Sequence, residues 1–149
     1  MDTADAASVS TALATIHQRF GRVTGLVHGA GVIADRLVDE KTEAELARVF
    51  APKAEGLFHL LSSLDRSRLA HVGLFSSASA FFGNRGQADY AMANAILANA
   101  GSALAAELPG AQVKVFDWGP WEGGMVDATL AGHFKAQGVP LIPLADGAG

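Results

Sequence analysis

The stretch Leu69–Asn94, LAHVGLFSSASAFFGNRGQADYAMAN, contains two periodicities and a break between them, and its reading decides the fold. Leu69 to Phe75 is a short apolar run that suits a buried strand, and residues 88 to 108 are alanine-rich and closed by Pro109-Gly110, as a helix would be. Between them lie Ser76 and Ser77. Thirteen residues past Ser77 comes the only tyrosine of the chain, Tyr90, with Asn94 four residues further on. A strand that gives way to a helix through polar and glycine-bearing residues is half of a βα unit.

The flanking sequence repeats the alternation. Val9, Leu13, Ile16 and Phe20 recur at helical spacing after a Ser/Thr/Asp-rich start and predict a first helix. Val23-Thr24-Gly25-Leu26-Val27, closed by His28-Gly29-Ala30-Gly31, reads as a buried strand running into a glycine turn, with a loop to about Glu40. From Thr42 to Leu64 a second helix has apolar residues at 46, 50, 57, 61 and 64, interrupted in its middle by Pro52-Lys53, and Gln112 to Trp118 reads as a third strand. The order β-α-β-α-β behind a leading helix predicts parallel strands joined by right-handed crossovers, a doubly wound α/β architecture. In such sheets ligands gather beyond the carboxyl ends of the strands, here His28-Gly29-Ala30-Gly31, Ser76-Ser77 and Trp118-Gly119-Pro120. The tail past Met125 is expected to hold a short helix from Asp127 to Gln137 and then an irregular segment, Val139 to Leu144, broken by prolines.

At 149 residues the chain can form one domain with a core, or a piece of one. Half the residues are apolar and 17% are charged, which argues against disorder, and a net charge of -4 lacks the basic surplus that nucleic acid demands. The absence of cysteine excludes disulfides, thiol catalysis and cysteine-ligated zinc. His17, His28, His59, His71 and His133 are scattered without the short spacings of zinc sites, so no metal is expected and each reads as a surface or hydrogen-bonded histidine. MDTADAASVS has no continuous apolar core and no window approaches the ~20 apolar residues of a membrane span, so the expectation is a cytoplasmic chain with no membrane partner.

Lys53 falls on the apolar stripe of its helix, three residues past Phe50 and four before Leu57. Either its stem covers the core while the ammonium snorkels out, or a cation is aimed into a site. Tyr90 and Asn94 share a helix face that continues through Leu97, Gly101, Leu104 and Leu108. Tyr90 could be a core residue with a hydrogen-bonded hydroxyl. It could also be an acid, because a nearby cation such as Lys53 would lower a phenol pKa from its usual value near ~10, and Ser77 could hydrogen-bond the same substrate oxygen. Together these groups would polarise a carbonyl and protonate the alkoxide, and the hydride would have to come from a cofactor.

On GLVHGAGV, the Pro52-Lys53 helix, FSSASAFFGNRGQADYAMANAIL and WGPWEGGM, the chain resembles the ketoreductase domains of modular polyketide and polyunsaturated fatty-acid synthases, a branch of the short-chain dehydrogenase/reductases, from Asp2 to about Leu144. Most members of that superfamily carry Lys four residues after the Tyr; this branch has Asn there and takes its Lys from the preceding helix, as Asn94 and Lys53 do. The resemblance implies that Tyr90 donates the proton, Ser77 orients the ketone oxygen, Lys53 lowers the Tyr pKa, and Asn94 holds the network or its proton-relay water. It implies that Gly29, Ala30 and Gly31 lie against NADPH, Gly119 and Pro120 beside its nicotinamide, and Asp2 near its adenine. Residues 121 to 137, with Trp121 and Met125, would form a lid over the substrate. Ile33-Ala34-Asp35 keeps only the final Asp of the B-type Leu-Asp-Asp signature, and Phe82 stands where A-type domains have Trp, which implies a D-hydroxyl product. The implied reaction is reduction of a β-ketoacyl thioester on an acyl carrier protein.

No G-x-G-x-x-G occurs, and GPWEGG at 119 to 124 follows the last strand and cannot open a first βα unit. The chain therefore reads as the second half of a Rossmann-like sheet, a single partial domain truncated at both ends that needs a missing N-terminal half and would leave one flank of the sheet unpaired and apolar. Two other readings stay open: a non-catalytic half-domain used for docking, and a reductase acting on a free small molecule.

Overall fold

The structure, a computed structural model, describes residues 1–147. The chain begins with helix α1 (Ala6–Phe20), strand β1 (Gly25–His28), helix α2 (Glu43–Ser63) and strand β2 (His71–Ser77). It continues through the one-turn helix α3 (Ser79–Phe82), helix α4 (Ala88–Glu107), strand β3 (Gln112–Trp118), helix α5 (Ala128–Ala136) and the short helix α6 (Leu144–Gly147). The first two long helices start where the sequence supplies a cap. Asp5 accepts the Ala7 N–H at 2.9 Å, and at the head of α2 Thr42 Oγ1 accepts the Glu45 N–H at 3.2 Å while the Glu45 carboxylate accepts the Thr42 N–H at 2.9 Å, a reciprocal capping box.

Pro52 interrupts the apolar pattern of α2 but lies within one continuous helix, close to the expected span of 42 to 64. Its ring removes one backbone donor, but Val49, Lys53, Leu57 and Leu60 around it are all buried, so tertiary packing carries the helix through. The first two strands begin two residues later than the sequence suggests. The segment before β2 is taken up by a 3-10 turn at Arg66–Arg68 capped by Asp65.

The strands lie in the order β1-β2-β3, with β1 and β2 parallel in register from Gly25 opposite His71 to His28 opposite Leu74. Sequential order in one direction is what the second half of a doubly wound sheet has. Leu26, Val72 and Leu74 point to one face, where they meet Val9 and Leu13 of α1, Leu57 and Leu60 of α2, and Leu97 and Leu104 of α4. Gly101 permits the closest approach there, since a Cβ at that position would collide with Val115 on β3. The opposite face carries Val27, 71% exposed, and Phe75, which meets the Phe116 ring edge to face at 5.6 Å. β1 is thus not buried on both sides as expected but alternates, because the covering helices share one core on one face.

The chain divides into two compact units, Met1–Asp117 and the part from Trp118 onward. In the second unit Ile142 pairs with the segment before α5, donating its N–H to Pro120 O at 2.7 Å and accepting that of Glu122 at 2.9 Å. Trp118 and Trp121 meet edge to face at 4.9 Å, and Asp127 caps α5 through the Leu130 N–H at 2.8 Å. Among the described residues no helix is long and apolar enough to cross a membrane.

Candidate functional site

Lys53 sits midway along α2 and is only 3% exposed. Its ammonium does not snorkel to solvent. It donates to Phe75 O at 2.9 Å and stands 5.6 Å from the centre of the Tyr90 ring. Burial without a carboxylate partner pushes its pKa down to about 8. Two neighbours hold it there. His28, buried at the end of β1, hydrogen-bonds Lys53 O through Nε2 at 2.9 Å, and Gly31 lies so close that a Cβ would come 2.8 Å from Lys53 Cε. Burial also lowers the pKa of His28, a fall that its bond to Lys53 O opposes and the Lys53 charge deepens.

β2 delivers the serines. Ser76 Oγ donates to Asn94 O at 3.1 Å, tying strand to helix, while Ser77 is half-buried and its Oγ accepts the N–H and hydroxyl of Ser79 at 3.2 and 3.0 Å, which leaves its own proton to donate. Asn94 is fully buried. Its Nδ2 donates to Tyr90 O at 2.8 Å, and its Oδ1 has no partner, an acceptor one helical turn from the phenol. Tyr90 is half-buried, and burial raises its pKa; the side chains of Asn94 and Ser77 pull it back and the Asp35 charge adds to the rise. Lys53 stands over the Tyr90 ring, and the net direction of the Tyr90 shift is upward because burial outweighs the contacts that lower it.

The loop after β1 is fastened to the start of α4. Gln87 Nε2 donates to Asp35 at 2.9 Å and Gly86 O accepts the Arg36 N–H at 2.9 Å, at a φ of +84° that suits only glycine. Lys41 and Asp89 form a buried ion pair at 2.7 Å with side-chain exposures of 4% and 2%. Sequence reading missed both partners of that pair. They stand 48 residues apart, and only the adjacent capping box and Tyr90 could have drawn attention to them.

The remaining expected residues are more dispersed. Asp2 is exposed and its carboxylate accepts the Ala4 N–H at 2.9 Å, while its neighbour Thr3 is buried and donates to Pro52 O at 3.1 Å. Gly29 and Ala30 follow β1, Gly29 against the Phe75 ring. Phe82 ends α3 at 88% exposed. Gly119, Pro120, Trp121 and Met125 belong to the second unit, where Gly119 lies on Ile142 and Met125 is 44% exposed. The described residues contain no cluster fit for a metal ion.

The reactive end of a nicotinamide dinucleotide fits the donors and acceptors of Ser77, Tyr90 and the orphaned Asn94 Oδ1. Its pyrophosphate does not fit these residues. A diphosphate needs an open helix N-terminus, and here the N-termini of α1 and α5 are closed by Asp5 and Asp127, that of α2 by its capping box with Glu43 and Glu45, and that of α4 has Asp89.

A parallel α/β unit with Ser77 at the end of β2 and Tyr90 in the first turn of α4 places the chain in the short-chain dehydrogenase/reductase class. Within that class it belongs to the ketoreductase (KR) domain family, whose model matches residues 1–123. It is 43% identical over 148 residues to a polyunsaturated fatty acid synthase polypeptide of Thraustochytrium sp., a match that covers 99% of this chain and 5% of that protein. It superposes on a ketoreductase from the first module of phoslactomycin biosynthesis in Streptomyces with a TM-score of 0.90 and 30% identity, covering 99% of this chain and 34% of that one. A ketoreductase domain from the bacillaene assembly line gives 0.86 and 33%, covering 99% and 37%. The chain thus spans about a third of these solved structures and a small fraction of the synthase.

Proposed function

We propose that this chain carries the proton-donating part of a ketoreductase site that reduces a β-ketoacyl thioester, held on an acyl carrier protein, to the β-hydroxyacyl thioester. The observation that carries the reading is the convergence of Lys53, Ser77, Tyr90 and Asn94 at the carboxyl ends of β1 and β2, with a buried cation that no carboxylate neutralises. Tyr90, its pKa raised, stays protonated at neutral pH and gives its proton to the ketone oxygen as the C–O bond becomes a hydroxyl. Ser77 donates to the same oxygen and fixes it. Lys53 opposes the negative charge that Tyr90 acquires, and Asn94 Oδ1 accepts a hydrogen bond from the relay water that returns a proton to Tyr90. The hydride for the carbonyl carbon would come from a nicotinamide cofactor, NADPH on this reading, held against these residues.

Gly29, Ala30 and Gly31 would lie along that cofactor, with Gly119 and Pro120 beside the nicotinamide and Asp2 toward the adenine. Residues 121 to 137, with Trp121 and Met125, would cover the substrate. Asp35 at the loop and Phe82 in place of a tryptophan favour the D-hydroxyl product. The pyrophosphate would be held by an N-terminal complement that packs on the sheet face that presents Val27.

The test is a complete ketoreductase domain bearing residues 1–147, assayed on a carrier-bound β-ketoacyl thioester. Tyr90→Phe should lower kcat by about 10²- to 10⁴-fold, the usual worth of a positioned acid. Reduction that survives the change would overturn the reading.

A further inference from the structure

Lys41 and Asp89 form a charge pair that the mechanism does not use. A buried pair gains little over apolar packing, because desolvating two ions offsets their attraction, so such a pair is better explained by the geometry it imposes than by stability. What it joins is specific. Lys41 directly precedes Thr42, the cap of α2, the helix that brings Lys53 to the site; Asp89 directly precedes Tyr90 on α4. The Lys41 ammonium also donates to Ala34 O at 2.7 Å, beside Asp35, and Asp89 turns its second oxygen to the Tyr90 N–H at 2.9 Å. One lysine therefore links three of the segments that converge on the phenol, the Asp35 loop, the head of α2 and the start of α4.

We propose that Lys41 is a positioning residue, which clamps the Asp35 loop and the head of α2 to the start of α4 and so sets the separation of Lys53 from Tyr90. The inference rests on the ketoreductase reading for its consequence in catalysis, but not for its geometry. Arg36, which pairs with Glu45 at 3.2 Å, is 49% exposed and cannot impose the same rigidity. Gln87 and Gly86 bond the loop to the same end of α4. Loosening the loop would admit water to Tyr90 and move the Asp35 charge away, and both changes lower the phenol pKa toward its ordinary value of about 10.

The test uses Lys41→Met/Asp89→Leu, which removes both charges together and spares the fold an unpaired ion. Since Tyr90 is the only tyrosine, phenolate absorbance of the 149-residue chain against pH reports it alone. The midpoint should fall toward 10, and in a complete ketoreductase domain kcat should drop at least tenfold (about 1.4 kcal/mol) with KM within twofold. A folded double variant with an unchanged midpoint and unchanged kcat would overturn the proposal. Should that variant not fold, amide exchange of the unsubstituted chain decides: Arg36 and Tyr90 N–H should open together, and an Arg36 amide exchanging as a free loop would refute the clamp. If the complete domain reduces no ketone at all, the ketoreductase reading fails while the phenolate titration still judges the clamp.

Discussion

Two lysines of the first unit bury their ammonium groups, and their surroundings could hardly differ more. Lys41 meets a carboxylate at 2.7 Å. Lys53 meets a carbonyl and the face of an aromatic ring, and its pKa falls to about 8. A charge paired within its own fold serves to join elements, whereas one left without a counter-ion stores an electrostatic cost that only a reacting group can recover. On the proposed ketoreductase reading, the contrast separates scaffold from chemistry.

The sharpest way to break the comparison is to unpair the first lysine. Asp89→Asn should destabilise the chain by about 3–5 kcal/mol in urea unfolding, since it strands a buried ammonium. A loss under about 1 kcal/mol, the worth of an exposed pair, would mean that the pair is solvated and the contrast false. For Lys53 the opposite is expected. Its folded pKa lies below the unfolded value of 10.5, so the unfolded chain binds more protons between about pH 8 and 10.5, and stability should rise with pH across that window. The gain is on the order of 3 kcal/mol. Lys53→Met should remove the slope and leave a chain at least as stable at pH 7; a persistent slope would assign it to another group.

Gly31→Ala should have the smallest effect on stability, about 1–3 kcal/mol, because the new methyl must displace the flexible end of Lys53. Its functional effect should exceed that, with reduction by a complete domain falling while substrate KM holds. An alanine that leaves the rate intact would show that Lys53 tolerates displacement.

Most of the fold was legible because it rests on periodicity. The helical face of Tyr90, Asn94, Leu97, Gly101 and Leu104 and the apolar run ending in Ser76-Ser77 each follow from local spacing, and parallel order follows from their alternation. Lys53 on an apolar stripe was legible as an anomaly, though not whether it faced water. What could not be read were the long-range pairings. Nothing in the sequence ties Lys41 to Asp89, His28 to Lys53 O or Thr3 to Pro52 O, since each joins residues that only the folded sheet brings together. Pro52 argues against helix locally, but the apolar spacing on both sides of it outweighed that, and the helix runs through. The net direction of the Tyr90 shift could not be read either: a cation nearby was foreseen, but not how far burial would outweigh the contacts that lower the pKa.

Proton donation by this site requires Tyr90 to be enclosed among formed neighbours and to stay protonated until a substrate oxygen takes its proton. Its ionisation, followed by phenolate absorbance in the unsubstituted chain, tests that directly. A midpoint above about 10 would agree with burial outweighing the Asn94 and Ser77 contacts, and a midpoint at or below about 10 would contradict an enclosed phenol.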